Sequence, residues 1–117
     1  MKKIIVVDDY KDFADVVREY IESKTKQKCI AFYDSVEALK NINNEKDIDV
    51  LVTDYQMPKM DGFELAKEVI RKFPNMKIVI WSGHGRITLE EIKRKHNLGD
   101  EIKVLKLAYL LPESFNL

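Results

Sequence analysis

The sequence has a single cysteine, Cys29, so no disulfide bond can form within the chain. It also lacks a hydrophobic run long enough for a signal peptide or a membrane span, because the apolar run Ile4 to Val7 is followed directly by acidic residues. An excess of one charge is missing as well. The 20 basic residues balance the 20 acidic ones, which argues against broad electrostatic attraction to nucleic acid or to anionic membranes. These absences predict a cytoplasmic protein whose partners bind local patches of its surface.

The chain also lacks repeats, linkers and low-complexity segments. Its 117 residues, 45% of them hydrophobic, are enough for one core, and we expect a single domain over residues 1–117. The tail from about Leu107 is atypical, because it contains Pro112 and is too short for a complete closing helix. A chain that is part of a longer protein would show the same tail.

Five short runs rich in β-branched or aromatic residues predict β-strands. Four are apolar without alternation, which is typical of parallel strands covered on both faces of a sheet. They are Ile4 to Val7, Cys29 to Phe32, Val50 to Val52 and Ile78 to Trp81. The fifth, Ile102 to Lys106, alternates between apolar and charged residues, as an edge strand does. Cys29 lies inside the second run, so we interpret it as a small core residue rather than a reactive thiol.

Between these runs, apolar residues recur at helical spacing. One amphipathic face contains Phe13, Val16, Val17, Tyr20 and Ile21, and another contains Phe63, Ala66, Val69, Ile70 and Phe73. Shorter helices are predicted from Ser35 to about Asn44 and from Thr88 to about Asn97. Strand and helix therefore alternate, which predicts an α/β fold with a parallel sheet and helices on both of its faces.

Three acidic residues lie at the ends of two predicted strands. Asp8 and Asp9 follow the first strand, and Asp54 ends the third. Ligands of doubly wound sheets bind beyond the carboxyl ends of the strands, so we expect these carboxylates to converge if the two strands are neighbours. Two unit charges about 4 Å apart repel by roughly 4 kcal/mol at an effective dielectric constant of about 20. Three carboxylates together therefore require a cation or raised pKa values.

A hard divalent cation would relieve this repulsion, and an oxygen-only site suits Mg²⁺ better than zinc. Mg²⁺ beside carboxylates is typical of phosphoryl transfer, in which the metal neutralises the transferring group and a carboxylate can attack as the nucleophile. This pattern points to an aspartyl phosphate. Ser82 ends the fourth strand and Lys106 ends the fifth, so they offer a hydroxyl donor and a positive charge to phosphoryl oxygens.

In these residues the chain resembles the receiver domains of two-component response regulators, over essentially its whole length up to Lys106. The resemblance lies in Asp8-Asp9, in Asp54 with the segment Tyr55 to Gly62 behind it, in Ser82-Gly83 and in Lys106. It implies a flavodoxin-like, doubly wound sheet of five parallel strands in the order 2-1-3-4-5, flanked by helices, with a truncated or atypical last helix.

The resemblance also implies a role for each site residue. Asp54 is the expected phosphoacceptor, and Ser82 and Lys106 are expected to bind the phosphoryl oxygens. The expected Mg²⁺ ligands are Asp9, Asp54 and the backbone carbonyl of Gln56, with Asp8 acting directly or through water. The expected phosphoryl donor is a sensor histidine kinase or a phosphotransfer protein. Phosphorylation would then switch contacts with a downstream protein, without direct binding of nucleic acid.

The chain departs from the family pattern near its end. Receiver domains normally carry a proline with a cis peptide bond after the conserved lysine, whereas Leu107 follows Lys106 here. A cis bond costs about 0.5–1 kcal/mol before proline but about 2.5–4 kcal/mol before other residues, so we expect either a trans bond or a strained cis bond after Lys106. Family members often carry an aromatic residue three positions before that lysine, where this chain has Lys103. The uncovered apolar tail predicts a homodimer through the fourth helix, the fifth strand and the tail.

Three functions are compatible with these residues. The first is a signalling switch that catalyses only its own phosphorylation and dephosphorylation, and is therefore not a conventional enzyme. The second is a pseudo-receiver, a constitutive protein-interaction module, which Leu107 favours and the three carboxylates disfavour. The third is a small Mg²⁺-dependent phosphatase or phosphotransferase with Asp54 as the catalytic nucleophile, and it requires a general acid near Asp54, for which no histidine or additional carboxylate is an obvious candidate. We interpret Asp61 with Glu64 as a helix cap.

Overall fold

The computed structural model describes the backbone of residues 3–44, 48–82, 94 and 102–106, and the side chains of these residues except 81, 82 and 102–106. Strand and helix alternate along the chain. The elements are β1 (Lys3–Val7), α1 (Lys11–Thr25), β2 (Lys28–Phe32), α2 (Ser35–Asn44), β3 (Ile48–Asp54), α3 (Gly62–Lys72), β4 (Lys77–Ser82) and β5 (Ile102–Lys106). The predicted α/β fold is confirmed for the parallel strands β1 to β4 and the helices that join them.

The pairing of the strands brings the ends of β1 and β3 together. β1 lies between β2 and β3, and β4 pairs with the other side of β3, all in parallel. The backbone of β5 lies beside β4. Because the chain first moves from β1 to β2 and then returns to β3 on the other side, the ends of β1 and β3 meet at a switch point. Val7 is the register partner of Thr53, so the residues that follow them, Asp8 and Asp54, are adjacent.

Each face of the sheet has its own hydrophobic core. Successive side chains of a strand point to opposite faces, so Ile4 and Val6 of β1 contact α1, whereas Ile5 and Val7 contact α2 and α3. β3 divides in the same way, with Val50 and Val52 in the first core and Leu51 in the second. Burial on both faces explains why these strands are apolar without alternation.

One prediction about α1 is wrong in detail. Its buried residues are Ala14, Val17 and Ile21, whereas Val16, which we placed on the apolar face, is 60% exposed. An α-helix turns about 100° per residue, so Val16 lies about 100° from Val17 and about 140° from Ile21 around the helix axis and points away from the sheet. Phe13 lies nearer the sheet and packs partly buried against that core.

The predicted helix from Ser35 to Asn44 is confirmed as α2. The predicted cap of α3 is confirmed too: the Asp61 carboxylate accepts from the Glu64 amide at 2.8 Å, and the Glu64 carboxylate accepts from the Asp61 amide at 3.2 Å. The predicted fourth helix, Thr88 to Asn97, lies outside the described residues except for Arg94, which is helical and exposed. The tail 107–117 also lies outside them, and so does most of the predicted dimer surface.

No helix that the structure describes combines the length and the apolar character required to cross a bilayer.

Candidate functional site

Three carboxylates meet at the carboxyl edge of the sheet. Asp8, Asp9 and Asp54 each offer an oxygen that lies within 4.8 Å of the others. Asp8 and Asp54 are buried, at 3% and 1% exposure, while Asp9 is exposed and forms the open side of the group. Among the described residues, this is the one group of three or more potential metal-ligating side chains. The predicted convergence of the two strand ends is therefore present.

The turn after β1 holds Asp8 through its backbone and its side chain. The Asp8 amide donates to the carbonyl of Phe32 at 3.1 Å, which continues the β1–β2 ladder by one residue. The Asp8 Oδ1 atom accepts from the Tyr10 amide at 2.9 Å. Local bonds of this kind from an aspartate to the backbone favour a turn over continued strand. They place Asp9 and the start of α1 directly above the carboxyl end of β1.

Gly62 is a second determinant of the site, and the sequence alone did not predict its role in packing. It is the first residue of α3, and its amide donates to the Tyr55 carbonyl at 2.8 Å. A Cβ atom at this position would lie 2.1 Å from the Asp54 carbonyl oxygen and 3.0 Å from the Asp54 carbonyl carbon. Only a residue without a side chain lets α3 approach the end of β3 so closely. The helix therefore fixes the backbone that carries Asp54.

The loop between β3 and α3 contains a strained residue. The Met60 amide donates to the Pro58 carbonyl at 2.8 Å, which closes a γ-turn around Lys59, whose φ is +70°. A residue with a Cβ rarely adopts this conformation. The Lys59 Nζ atom lies 3.1 Å from the Asp34 carboxylate, at the start of α2. Gln56, whose carbonyl is an expected ligand, lies in the same loop and is exposed.

The donor set of the acidic group fits a hard divalent cation. It consists of carboxylate oxygens alone, which is what Mg²⁺ prefers, and the exposed Asp9 leaves room for the waters that Mg²⁺ retains. Three carboxylates this close repel one another strongly, with roughly 4 kcal/mol per charged pair at an effective dielectric constant of about 20. A bound dication would convert that repulsion into attraction.

The remaining predicted site residues are placed by their backbone. Ser82 and Lys106 end β4 and β5 and are register partners, so they lie side by side at the same edge of the sheet as Asp54. Asp54 itself is the register partner of Trp81, directly before Ser82. The side chains of Ser82 and Lys106 lie outside the described part of the structure.

Cys29 takes no part in this site. It is buried in β2 within the α1 core, as predicted. Burial, with a smaller contribution from the nearby Glu22 carboxylate, raises the pKa of its thiol to about 12. The thiolate, which is the reactive form, is therefore disfavoured in the folded protein.

Comparison with known proteins agrees with this geometry. The family model of the response regulator receiver domain matches residues 4–103. A chemotaxis protein CheY homolog of Campylobacter jejuni is 29% identical over 85 residues, which cover 71% of this chain and 65% of that protein. The two-component response regulator ARR21 of Arabidopsis thaliana is 34% identical over 80 residues, which cover 68% of this chain but 13% of that protein.

A solved receiver domain protein of Clostridium thermocellum matches with a TM-score of 0.80 and 24% identity, over 97% of this chain and 86% of that one. At this identity the structural match shows a shared fold. The chain spans less than two thirds of the length of each of these two curated relatives, so the activities of the whole proteins are not assigned to this chain. The family match, in contrast, covers most of the chain and includes Asp8, Asp9, Asp54 and Ser82. The chain belongs to the receiver domain family of two-component response regulators.

Proposed function

We propose that this receiver domain accepts a phosphoryl group on Asp54 in a Mg²⁺-dependent reaction and thereby switches its contacts with other proteins. The observation that supports the proposal is the gathering of Asp8, Asp9 and Asp54 within 4.8 Å at the carboxyl edge of the sheet. Receiver domains bind Mg²⁺ through such an acidic cluster. The domain would act as a switch that catalyses only its own phosphorylation and dephosphorylation, not as a conventional enzyme.

The resemblance to receiver domains suggests the role of each carboxylate, and their convergence supports it. Asp8, Asp9 and Asp54, with the carbonyl of Gln56, would hold the metal ion. Bound Mg²⁺ supplies positive charge that offsets the negative charge of the carboxylates and of the phosphoryl oxygens. An oxygen of Asp54 then bonds to the phosphorus, the bond from phosphorus to the donor nitrogen breaks, and the donor imidazole leaves with the electron pair and takes up a proton.

The finer features of the family form part of the same proposal. They are the complete sheet order 2-1-3-4-5, phosphoryl contacts from Ser82 and Lys106, and a cytoplasmic location. The placement of β5 beside β4, with Lys106 opposite Ser82, supports the first two. Receiver domains interact with histidine kinases or phosphotransfer proteins, and we propose such a donor for this chain. No direct contact with nucleic acid is proposed.

Incubation with acetyl phosphate and Mg²⁺, followed by intact mass measurement, tests the proposal. We expect the wild type to gain one phosphoryl group, and we expect no gain when Mg²⁺ is removed by a chelator or when the variant is Asp54→Asn. Asp49→Asn is the matched control, because Asp49 lies on the same strand but is exposed at the opposite edge of the sheet. Peptide mapping should place the modification on Asp54.

An unmodified wild type that still binds Mg²⁺ would contradict the proposal and favour a pseudo-receiver. That alternative is a constitutive interaction module, and the sequence feature that favours it is Leu107, which stands in place of the usual proline after Lys106.

A further inference from the structure

The turn between β2 and α2 consists of Tyr33 and Asp34, and its side chains bind the start of α1, which follows Asp8 and Asp9, and the loop that follows Asp54. Directly before the turn, the Phe32 carbonyl accepts from the amide of Asp8 at 3.1 Å. The turn therefore starts from a backbone position that is already fixed relative to the first cluster residue. Its two side chains bind different elements, α1 and the loop between β3 and α3.

Tyr33 connects the turn to the start of α1. Its hydroxyl donates to Asp15 Oδ1 at 2.5 Å. Lys11 completes the group, since its Nζ atom lies 3.2 Å from Asp15 Oδ2 and 5.4 Å from the centre of the Tyr33 ring. Both Lys11 and Asp15 lie in the first turns of the helix that directly follows Asp8, Asp9 and Tyr10. A hydrogen bond to a carboxylate is among the stronger kinds of surface contact.

Asp34 connects the turn to the loop behind Asp54. Its Oδ1 atom accepts from the Glu37 amide at 3.0 Å and so caps α2, while its Oδ2 atom lies 3.1 Å from Lys59 Nζ. Both contacts lower the pKa of the Asp34 carboxyl, so it is charged at neutral pH. Lys59 is the residue at φ +70° in the loop that contains Gln56. An anchored side chain helps to hold a backbone conformation that is unfavourable by itself.

We propose that Tyr33 and Asp34 are positioning residues for the metal site, which hold the loop of Asp8 and Asp9 and the loop of Gln56 at a fixed separation. The proposal deepens the proposed function and rests on it for the reaction, although binding of Mg²⁺ can be measured without any phosphoryl transfer. Without these contacts, the cluster must lose more freedom when the metal binds, and the metal should bind more weakly.

Three variants remove the contacts with little other change. Asp34→Asn keeps a helix-capping side chain but removes the charge that attracts Lys59. Lys59→Gln removes the same ion pair from the other side, and Tyr33→Phe removes one hydroxyl. Glu68→Gln is the matched control, because it breaks an exposed ion pair with Arg71 on α3, away from the loops. Thermal unfolding in chelator checks that each variant folds.

The measurement is Mg²⁺ affinity by calorimetry, together with the Mg²⁺ dependence of phosphorylation by acetyl phosphate. Exposed ion pairs are weak, so we expect Asp34→Asn, Lys59→Gln and Tyr33→Phe each to weaken Mg²⁺ binding by about twofold to fivefold. The double variant of Asp34 and Lys59 should match either single variant, because both singles remove one contact. The phosphorylation rate at saturating Mg²⁺ should stay unchanged, which a general loss of structure would not allow.

Salt provides a further check. At about 1 M salt the Debye length is about 3 Å, so the difference between wild type and Asp34→Asn should shrink. Mg²⁺ affinities equal to wild type in all three variants, or an equal loss in Glu68→Gln, would overturn the positioning role. A wild type that binds Mg²⁺ but is not phosphorylated would overturn the proposed function instead, while the affinities still decide the role of the turn. A wild type that binds no Mg²⁺ overturns both.

Discussion

At the carboxyl edge of the sheet, β1 and β3 lead to Asp8 and Asp54, which are almost completely buried. At the amino edge, where the strands begin, Lys3 is half-buried and Lys28, Asp49 and Lys77 are exposed. Burial of a charge is unfavourable unless it is compensated, so a fold selected for stability alone would resemble the amino edge at both ends. The contrast shows that the acidic group is not an ordinary consequence of the topology. It gathers three carboxylates within 4.8 Å of one another, and a bound cation can offset their mutual repulsion.

The backbone differs between the edges in a related way. Each edge contains one described residue with a positive φ and a side chain: Lys26 at +58° ends α1 near the amino edge, and Lys59 at +70° lies at the carboxyl edge. Lys26 forms an ordinary helix end, in which its amide donates to the Glu22 carbonyl. Lys59 is additionally tied to Asp34. A positive φ therefore ends a helix near the amino edge, whereas at the carboxyl edge it occurs in a γ-turn whose central residue is tied to Asp34.

The largest expected effect concerns Gly62, where the carboxyl edge is packed most tightly. Gly62→Ala places a methyl group 2.1 Å from the Asp54 carbonyl oxygen, and the atoms that it meets are backbone atoms of Asp54 and Tyr55, which cannot give way as a flexible side chain could. We expect the free energy of unfolding to fall by about 3 kcal/mol, measured by urea denaturation followed by circular dichroism. Lys72→Ala, at the exposed end of the same helix, should change it by less than about 0.5 kcal/mol. A Gly62→Ala variant as stable as wild type would show that α3 does not constrain the site.

The second prediction concerns the charge of the cluster. Asp54→Asn removes one negative charge from three crowded carboxylates, so in chelator we expect the free energy of unfolding to rise by about 1–2 kcal/mol. Added Mg²⁺ should stabilise the wild type and should stabilise Asp54→Asn much less, so the wild type should become the more stable of the two. Asp49→Asn at the amino edge should have no comparable effect under either condition. If Asp54→Asn is destabilising in chelator, the cluster is not strained by repulsion.

The residues of the site differ in how far the sequence alone could predict their roles. Asp8 and Asp54 could be located because each lies at the end of a predicted strand with a short apolar run, and the end of such a strand is a local signal. The roles of Gly62 and Lys59 could not be predicted. The role of Gly62 depends on how α3 packs against the end of β3, and that of Lys59 depends on a side chain 25 residues earlier in the chain. Val16 was misplaced because helical spacing gives a face but not the centre of the buried stripe.

The smallest expected effect is the difference in stability between glycine substitutions at Lys26 and at Lys59, the two described non-glycine residues with a positive φ. Lys26→Gly relieves a left-handed conformation that costs about 1 kcal/mol for a residue with a Cβ, but glycine loses more freedom on folding, so we expect a net gain of about 0.5 kcal/mol. Lys59→Gly also relieves a positive φ but loses the ion pair with Asp34, which is worth about 0.2–1 kcal/mol, so we expect its gain to be smaller than that of Lys26→Gly. Urea denaturation of both variants in chelator measures the difference. Equal gains at both positions would mean that the ion pair adds no stability, and that any positioning by Lys59 must come from its backbone alone.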